Sequence, residues 1–151
     1  MSKLTVKLDF EDFPDLYTCR GANRSPPIRV EGILPEVRSL AILATASPRD
    51  GPARVAWILW NLPVVPLIPE GFPGEGVVKS PLHAVQGTND FGGIGYRGPC
   101  PEPGEGEAYL FRVYALDRDI EAAPGATWDE MLRAIRRSLR QSGEAVAFAT
   151  R

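Results

Sequence analysis

The sequence predicts a mostly β chain closed by a single late helix. Three observations carry this. Apolar residues form runs of strand length, or alternate along them, at residues 3–9, 39–46, 54–62 and 109–116. Gly and Pro, 15 of each in 151 residues, make about a fifth of the chain and argue against a helical bundle, because both break helices. One stretch, residues 127–142, repeats its apolar residues at helical spacing.

Taken in order, residues 3–9 place Leu4, Val6 and Leu8 on one face, the pattern of a half-buried strand. Residues 11–38 contain Pro14, Pro26, Pro27 and Pro35 with Gly21 and Gly32, and read as loop with at most short extended pieces. Ser39 to Ala46 is a continuous apolar run and Arg54 to Leu62 another, closed by Pro63. The turn sequence SPRDGP joins them as two core strands. From Pro63 to Pro103 prolines and glycines recur throughout. So long a loop either carries function or is pinned by packing. Tyr109 to Leu116 is apolar on both faces, Tyr109, Phe111, Val113 and Ala115 on one and Leu110, Tyr114 and Leu116 on the other, and reads as a central strand. The helix is expected from Thr127 to Ser142. Thr127 and Glu130 form its capping box, Trp128, Met131, Leu132, Ile135 and Leu139 its apolar stripe, and Gly143 its stop. Residues 144–150 give a last strand. There is no internal repeat, and the length suits one domain over 1–151.

Composition excludes several function classes. A formal charge of −2 provides no basic field for nucleic acid or an anionic membrane. The longest apolar stretch, residues 55–69, holds Asn61 and three prolines and is not a membrane span. The start, MSKLTVKLDF, has no apolar signal core, so the expected location is cytoplasmic. Cys19 and Cys100 are too few for a disulfide scaffold and read either as two buried thiols or as one bridge. Three Asn and two Gln are few, which fits a thermophile, while 14 Arg against 3 Lys fits a GC-rich genome equally well.

The chemistry-bearing residues are sparse. Gly93-Ile94-Gly95-Tyr96-Arg97-Gly98 matches a dinucleotide-binding loop by letter, but the prolines that follow cannot open the required helix. His83 is the only histidine, so no Ser–His triad or zinc site can be assembled, and no metal or cofactor is expected. Glu102, Glu105 and Glu107 are either a solvated acidic loop or a pocket rim. Arg133, Arg136, Arg137 and Arg140 form a cationic helix face. These features together indicate a binder rather than an enzyme.

Four segments, in order, resemble the phosphatidylethanolamine-binding protein (PEBP) family, also called the Raf kinase inhibitor protein-like family. They are Tyr17-Thr18-Cys19-x-Gly21 with Ser25-Pro26-Pro27-Ile28, then Trp57 to Pro63 (WILWNLP), then Gly87-Thr88-Asn89-Asp90-Phe91-Gly92 with Gly95 to Pro101 (GYRGPCP), then Tyr109 to Asp117 (YLFRVYALD). The resemblance covers roughly residues 10–151. It implies a PEBP-like β-sandwich of a large and a small sheet with one C-terminal helix, and a non-enzymatic module with a shallow pocket for an anionic, phosphate-like group such as a phospholipid head group. Some family members act on kinases or proteases by direct contact, so the alternative is a protein–protein interaction module with a vestigial pocket. A homodimer is compatible with either.

The pocket is where the sequence departs from the family pattern. The family's Asp-Pro-Asp segment corresponds to Ser47-Pro48-Arg49, and its two histidines fall at Ala56 and Glu107, while Tyr109 is kept. The implied ligand-binding set is Ser47, Arg49, Ala56, Gly98, Pro99, Glu107 and Tyr109. A carboxylate in place of an imidazole opposes an anion: like charges about 4 Å apart at an effective dielectric near 20 cost roughly 4 kcal/mol. Either an Arg49–Glu107 ion pair across the pocket mouth compensates, or both charges face solvent.

Overall fold

The computed structural model describes residues 3–150. Two antiparallel sheets and one helix build it. β1 (Thr5–Lys7), β2 (Ile28–Glu31) and β5 (Leu67–Ile68) form a small sheet in the order β1-β2-β5. β3 (Ser39–Pro48), β4 (Arg54–Leu62), β6 (Val77–Val78), β7 (Ala84–Gln86), β8 (Gly106–Leu116) and β9 (Leu139–Thr150) form the large sheet, ordered β6-β7-β4-β3-β8-β9. α1 (Trp128–Ser138) lies between β8 and β9 in sequence. The predicted sandwich with one helix is what forms.

Two cores follow from the alternation of side chains along the large sheet. On one face Leu40, Ile42, Trp57, Leu59, Phe111 and Val113 pack with Leu4, Val6, Ile28, Val30 and Ile68 of the small-sheet side. On the other Ala41, Leu43, Ile58, Trp60, Tyr114 and Leu116 pack with Met131 and Ile135 of α1. β8 therefore buries its Tyr109, Phe111, Val113 and Ala115 face throughout and the other face from Tyr114 on, where Leu110 and Arg112 remain half-exposed.

Two bulges shape β4. Register passes from Leu40↔Leu62 to Ile42↔Leu59, and from Ala44↔Trp57 to Thr45↔Val55, so β4 gains one residue at each point. At the first, Asn61 takes φ 58° and its amide ties Ile120, donating to the Ile120 carbonyl (3.0 Å) and accepting from its N–H (2.7 Å). At the second the extra residue is Ala56. Beyond it the faces exchange: Arg54 pairs with Ala46 on the side of Trp57 and Leu59, while Val55 turns toward the helix-side core.

The Pro-rich segment from residue 63 to 105 is pinned by packing and hydrogen bonds, and its stretch around residues 73–75 by one side chain. Gln86 is fully buried. It accepts from Trp57 Nε1 (2.7 Å) and donates to the carbonyls of Pro73 (2.7 Å) and Glu75 (2.9 Å), satisfying every group it carries.

The helix ends four residues earlier than its pattern suggests. Leu139 has φ −67° and ψ 127° and opens β9, which pairs with β8 down to Gly106↔Thr150. Gly143 is thus no helix stop. It lies in β9, where a Cβ would run into the Leu4 carbonyl. The helix start is as read: Thr127 Oγ1 accepts from the Glu130 N–H (3.4 Å) and donates to Glu130 Oε1 (3.2 Å). Thr127→Ala is expected to lower stability by about 1 kcal/mol, read as a shifted urea midpoint with an unchanged slope.

The two cysteines form the disulfide Cys19–Cys100, with Cα atoms 5.4 Å apart. Both residues are exposed, so the reading of two buried thiols is overturned.

Candidate functional site

The Gly-rich loop after β7 folds around Asn89. Its Oδ1 accepts from the N–H groups of Phe91 (2.9 Å) and Gly93 (3.2 Å), and its Nδ2 donates to the Gly95 carbonyl (3.0 Å). Gly92 and Gly95 take φ of 88° and 100°, which glycine adopts without strain. No helix follows, which removes the dinucleotide-binding reading. Asp90 fastens the loop to β4: its N–H donates to the Val55 carbonyl (2.8 Å), and its Oδ2 accepts from the Val55 N–H (2.7 Å).

A cavity of about 440 Å³ opens beside this loop. β3 contributes Ala46 and Pro48, the β3–β4 turn Asp50, Gly51 and Pro52, and β4 Arg54. The loop contributes Phe91, Arg97, Gly98, Cys100, Pro101, Glu102 and Glu105, and β8 Glu107 and Tyr109. The registers Ala46↔Arg54, Ala46↔Tyr109 and Pro48↔Glu107 explain why these residues share one face.

Two guanidiniums lie over one ring. The Arg97 Cζ lies 4.3 Å and the Arg54 Cζ 5.7 Å from the centroid of Phe91. Neither arginine is in an ion pair among the described residues. A guanidinium held over a ring and in no ion pair has N–H donors left for a carboxylate or phosphate. Four carboxylates, of Asp50, Glu102, Glu105 and Glu107, line the same cavity. Among the described residues no group of three or more His, Cys, Asp or Glu is placed to hold a metal ion.

The rest of the wall is bonded within the protein. The Tyr109 hydroxyl donates to the Arg97 carbonyl (2.7 Å), the Arg97 N–H to the Ala56 carbonyl (3.0 Å), and the Gly98 N–H to Asn23 Oδ1 (2.9 Å). The Cys100 N–H donates to Glu107 Oε1 (3.0 Å). Burial, reinforced by the Glu107 charge, pushes the Tyr109 phenol far above its ordinary range, so it stays a neutral hydroxyl.

Comparison with known proteins decides what this arrangement belongs to. The family model described as phosphatidylethanolamine-binding protein matches residues 5–148. The chain belongs to the phosphatidylethanolamine-binding protein family. It is 44% identical over 142 residues to a UPF0098 protein of Pyrococcus abyssi, covering 93% of this chain and 80% of that one. It is 43% identical over 142 residues to a UPF0098 protein of Pyrococcus horikoshii, covering 93% and 72%. The crystal structure of a putative PEBP homolog from Chlamydia trachomatis superposes with a TM-score of 0.84 at 27% identity, covering 99% of this chain and 98% of the other. That of Escherichia coli YbcL gives a TM-score of 0.84 at 24% identity over 99% of each chain, a likeness of fold.

Within this PEBP frame the seven sequence-derived site residues divide. Gly98, Glu107 and Tyr109 line the cavity. Ser47 does not: it alternates with Ala46 and Pro48 and is exposed on the opposite face. Arg49 stands in the turn, outside the lining. Ala56 is fully buried at its bulge and contributes only its carbonyl, through Arg97. Pro99 is buried and faces a smaller hollow beside Cys19 and Arg20. No Arg49–Glu107 ion pair forms. Glu107 is held by the Cys100 amide instead. The acidic residues after the Gly-rich loop are a pocket rim. His83 is exposed and outside the cavity. Arg54, Arg97 and Phe91 are the residues that sequence reasoning missed. A bulge decides the face of Arg54, and the loop fold decides the other two. Arg97 and Phe91 do lie inside the family-like segments, and that position was the available signal.

Along the chain, no helix is long and apolar enough to cross a membrane among the described residues.

Proposed function

We propose that this PEBP-family chain is a non-enzymatic binding module whose cavity takes a small ligand through an anionic, phosphate-like group. The observation that carries the reading is the pair of guanidiniums in no ion pair among the described residues, Arg54 and Arg97, held over Phe91 at the cavity wall. They are the charged donors that the cavity offers, and a phosphate or carboxylate is the group that two forked cations recognise. The family's name gives a phospholipid head group as the corresponding chemistry. The non-enzymatic part rests on three residue types: Cys100 is tied in a disulfide, Tyr109 is held neutral, and the one histidine lies outside the cavity, which leaves only the carboxylates for acid–base chemistry.

Calorimetric titration with phosphorylethanolamine tests it. Wild type is expected to bind saturably, and Arg97→Ala to bind about tenfold or more weakly, the worth of a hydrogen bond to a charged group. Equal binding by wild type and an Arg54→Ala/Arg97→Ala variant, or no saturable binding by wild type up to tens of millimolar, roughly the weak end of ligand affinity, removes the reading.

A further inference from the structure

The wall formed by residues 98–101 has no spare backbone donor. The Gly98 N–H is taken by Asn23 Oδ1 at 2.9 Å, Pro99 and Pro101 carry no N–H, and the Cys100 N–H is taken by Glu107 Oε1 at 3.0 Å. The Tyr109 hydroxyl beside them donates to the Arg97 carbonyl at 2.7 Å. Glu107 is half-buried at the start of β8, lines the cavity, and makes no ion pair among the described residues. Its carboxylate stands on the one amide of this wall that a bound anion would otherwise use.

We infer that Glu107 is the built-in anion of the cavity and sets its specificity. It fills the Cys100 amide, so a free anion such as inorganic phosphate meets a carboxylate where it needs a donor. The ligand admitted places its anionic group on Arg54 and Arg97 and turns a hydrogen-bond donor, such as an ammonium or hydroxyl, toward Glu107. The inference rests on the binding reading above, which supplies the two arginines. It adds a residue that rejects one class of ligand, the way a site discriminates when attraction alone does not.

The test titrates inorganic phosphate into wild type, Glu107→Ala and Glu107→Gln, followed by calorimetry and by the Cys100 amide resonance in a nitrogen-15 NMR spectrum. Phosphate is expected to bind Glu107→Ala at least about tenfold tighter than wild type, since a freed amide then donates to a charged acceptor. Glu107→Gln drops the charge but keeps an acceptor on the amide, so its gain is smaller. The Cys100 resonance is expected to move with phosphate in Glu107→Ala and to stay in place in wild type. Equal gains in the two variants, no gain in Glu107→Ala, or a phosphate-dependent shift of Cys100 in wild type each overturn the inference. If phosphorylethanolamine still binds wild type in those cases, the binding reading stands without it. If phosphorylethanolamine binds none of the three proteins, the binding reading fails and the inference with it. The wild-type resonance needs no variant to fold.

Discussion

Replacing both cysteines by serine is expected to lower the melting temperature by roughly 10–15 °C. The bond joins residues 81 apart in sequence. Closing a loop of that length in the unfolded chain corresponds to about 4–5 kcal/mol of stabilisation in the chain-entropy model, and a domain of this size loses about 2–4 °C per kcal/mol. The loss is predicted to be global, because the penalty falls on the unfolded ensemble rather than on one contact. Locally the loop around Cys19 keeps other ties to the cavity wall: the Cys19 N–H donates to the Pro99 carbonyl (3.2 Å), and the Tyr96 hydroxyl to the Tyr17 carbonyl (2.7 Å). The oxidised and the double-serine proteins, compared by calorimetric scanning at one pH, decide it. A difference of only a few degrees means that the unfolded chain is already compact enough for the bond to constrain little.

Gln86→Leu is the second change with a large expected cost, about 3–5 kcal/mol. Leucine nearly matches the volume of glutamine, so no cavity is made. It strands three polar groups instead: the Trp57 indole N–H and the carbonyls of Pro73 and Glu75. Gln86 is fully buried, so solvent does not replace what is lost. The effect is read from the urea midpoint. A cycle with Trp57→Phe, which deletes the stranded indole donor, is expected to cost less than the sum of the single changes. Strict additivity, or a Gln86→Leu cost below about 1 kcal/mol, the net worth of an ordinary hydrogen bond, shows that residues 73–75 are held by something other than Gln86. The prediction has a local contrast, for Trp60 Nε1 in the other core is buried with no hydrogen-bond partner.

Where the sequence is legible, one physical signal dominates. Arg54–Leu62 is a strand with the bounds its apolar run gives, because buried on both sides it has no competing pattern. β8 is legible from the alternation of its buried face, Tyr109, Phe111, Val113 and Ala115, and its other face is buried only from Tyr114 on. The helix is legible at its capped end and not at its other end. Leu139 continues the 3–4 spacing, and the pull of pairing with β8 overrides it. β2, β5, β6 and β7, of two to four residues each, fall in Pro-rich stretches where so short a run has no readable period. The site follows the same division. Gly98, Glu107 and Tyr109 lie in segments whose course the family likeness gives, and they meet at the cavity. Ser47 fails through strand parity alone, one residue from Ala46. Arg54 reaches the cavity only because Ala56 is an extra residue in its strand, and a bulge leaves no mark in composition or alternation.

The two ends of the chain are sewn together. Leu4 donates to the Ser142 carbonyl at 3.0 Å, Phe13 to that of Phe148 at 2.8 Å, and Phe148 to that of Glu11 at 2.8 Å. These residues run along the outer margin of β9, which would otherwise be the longest unshielded border of the large sheet. Residues 5–7 also pair with β2, close by in sequence, whereas the contacts of Leu4, Glu11 and Phe13 join segments from opposite ends of the described fold. This edge cover therefore belongs to the distant contacts whose closure slows folding. A chain in which residues 4–13 are displaced carries a bare hem on β9, open to a neighbouring polypeptide.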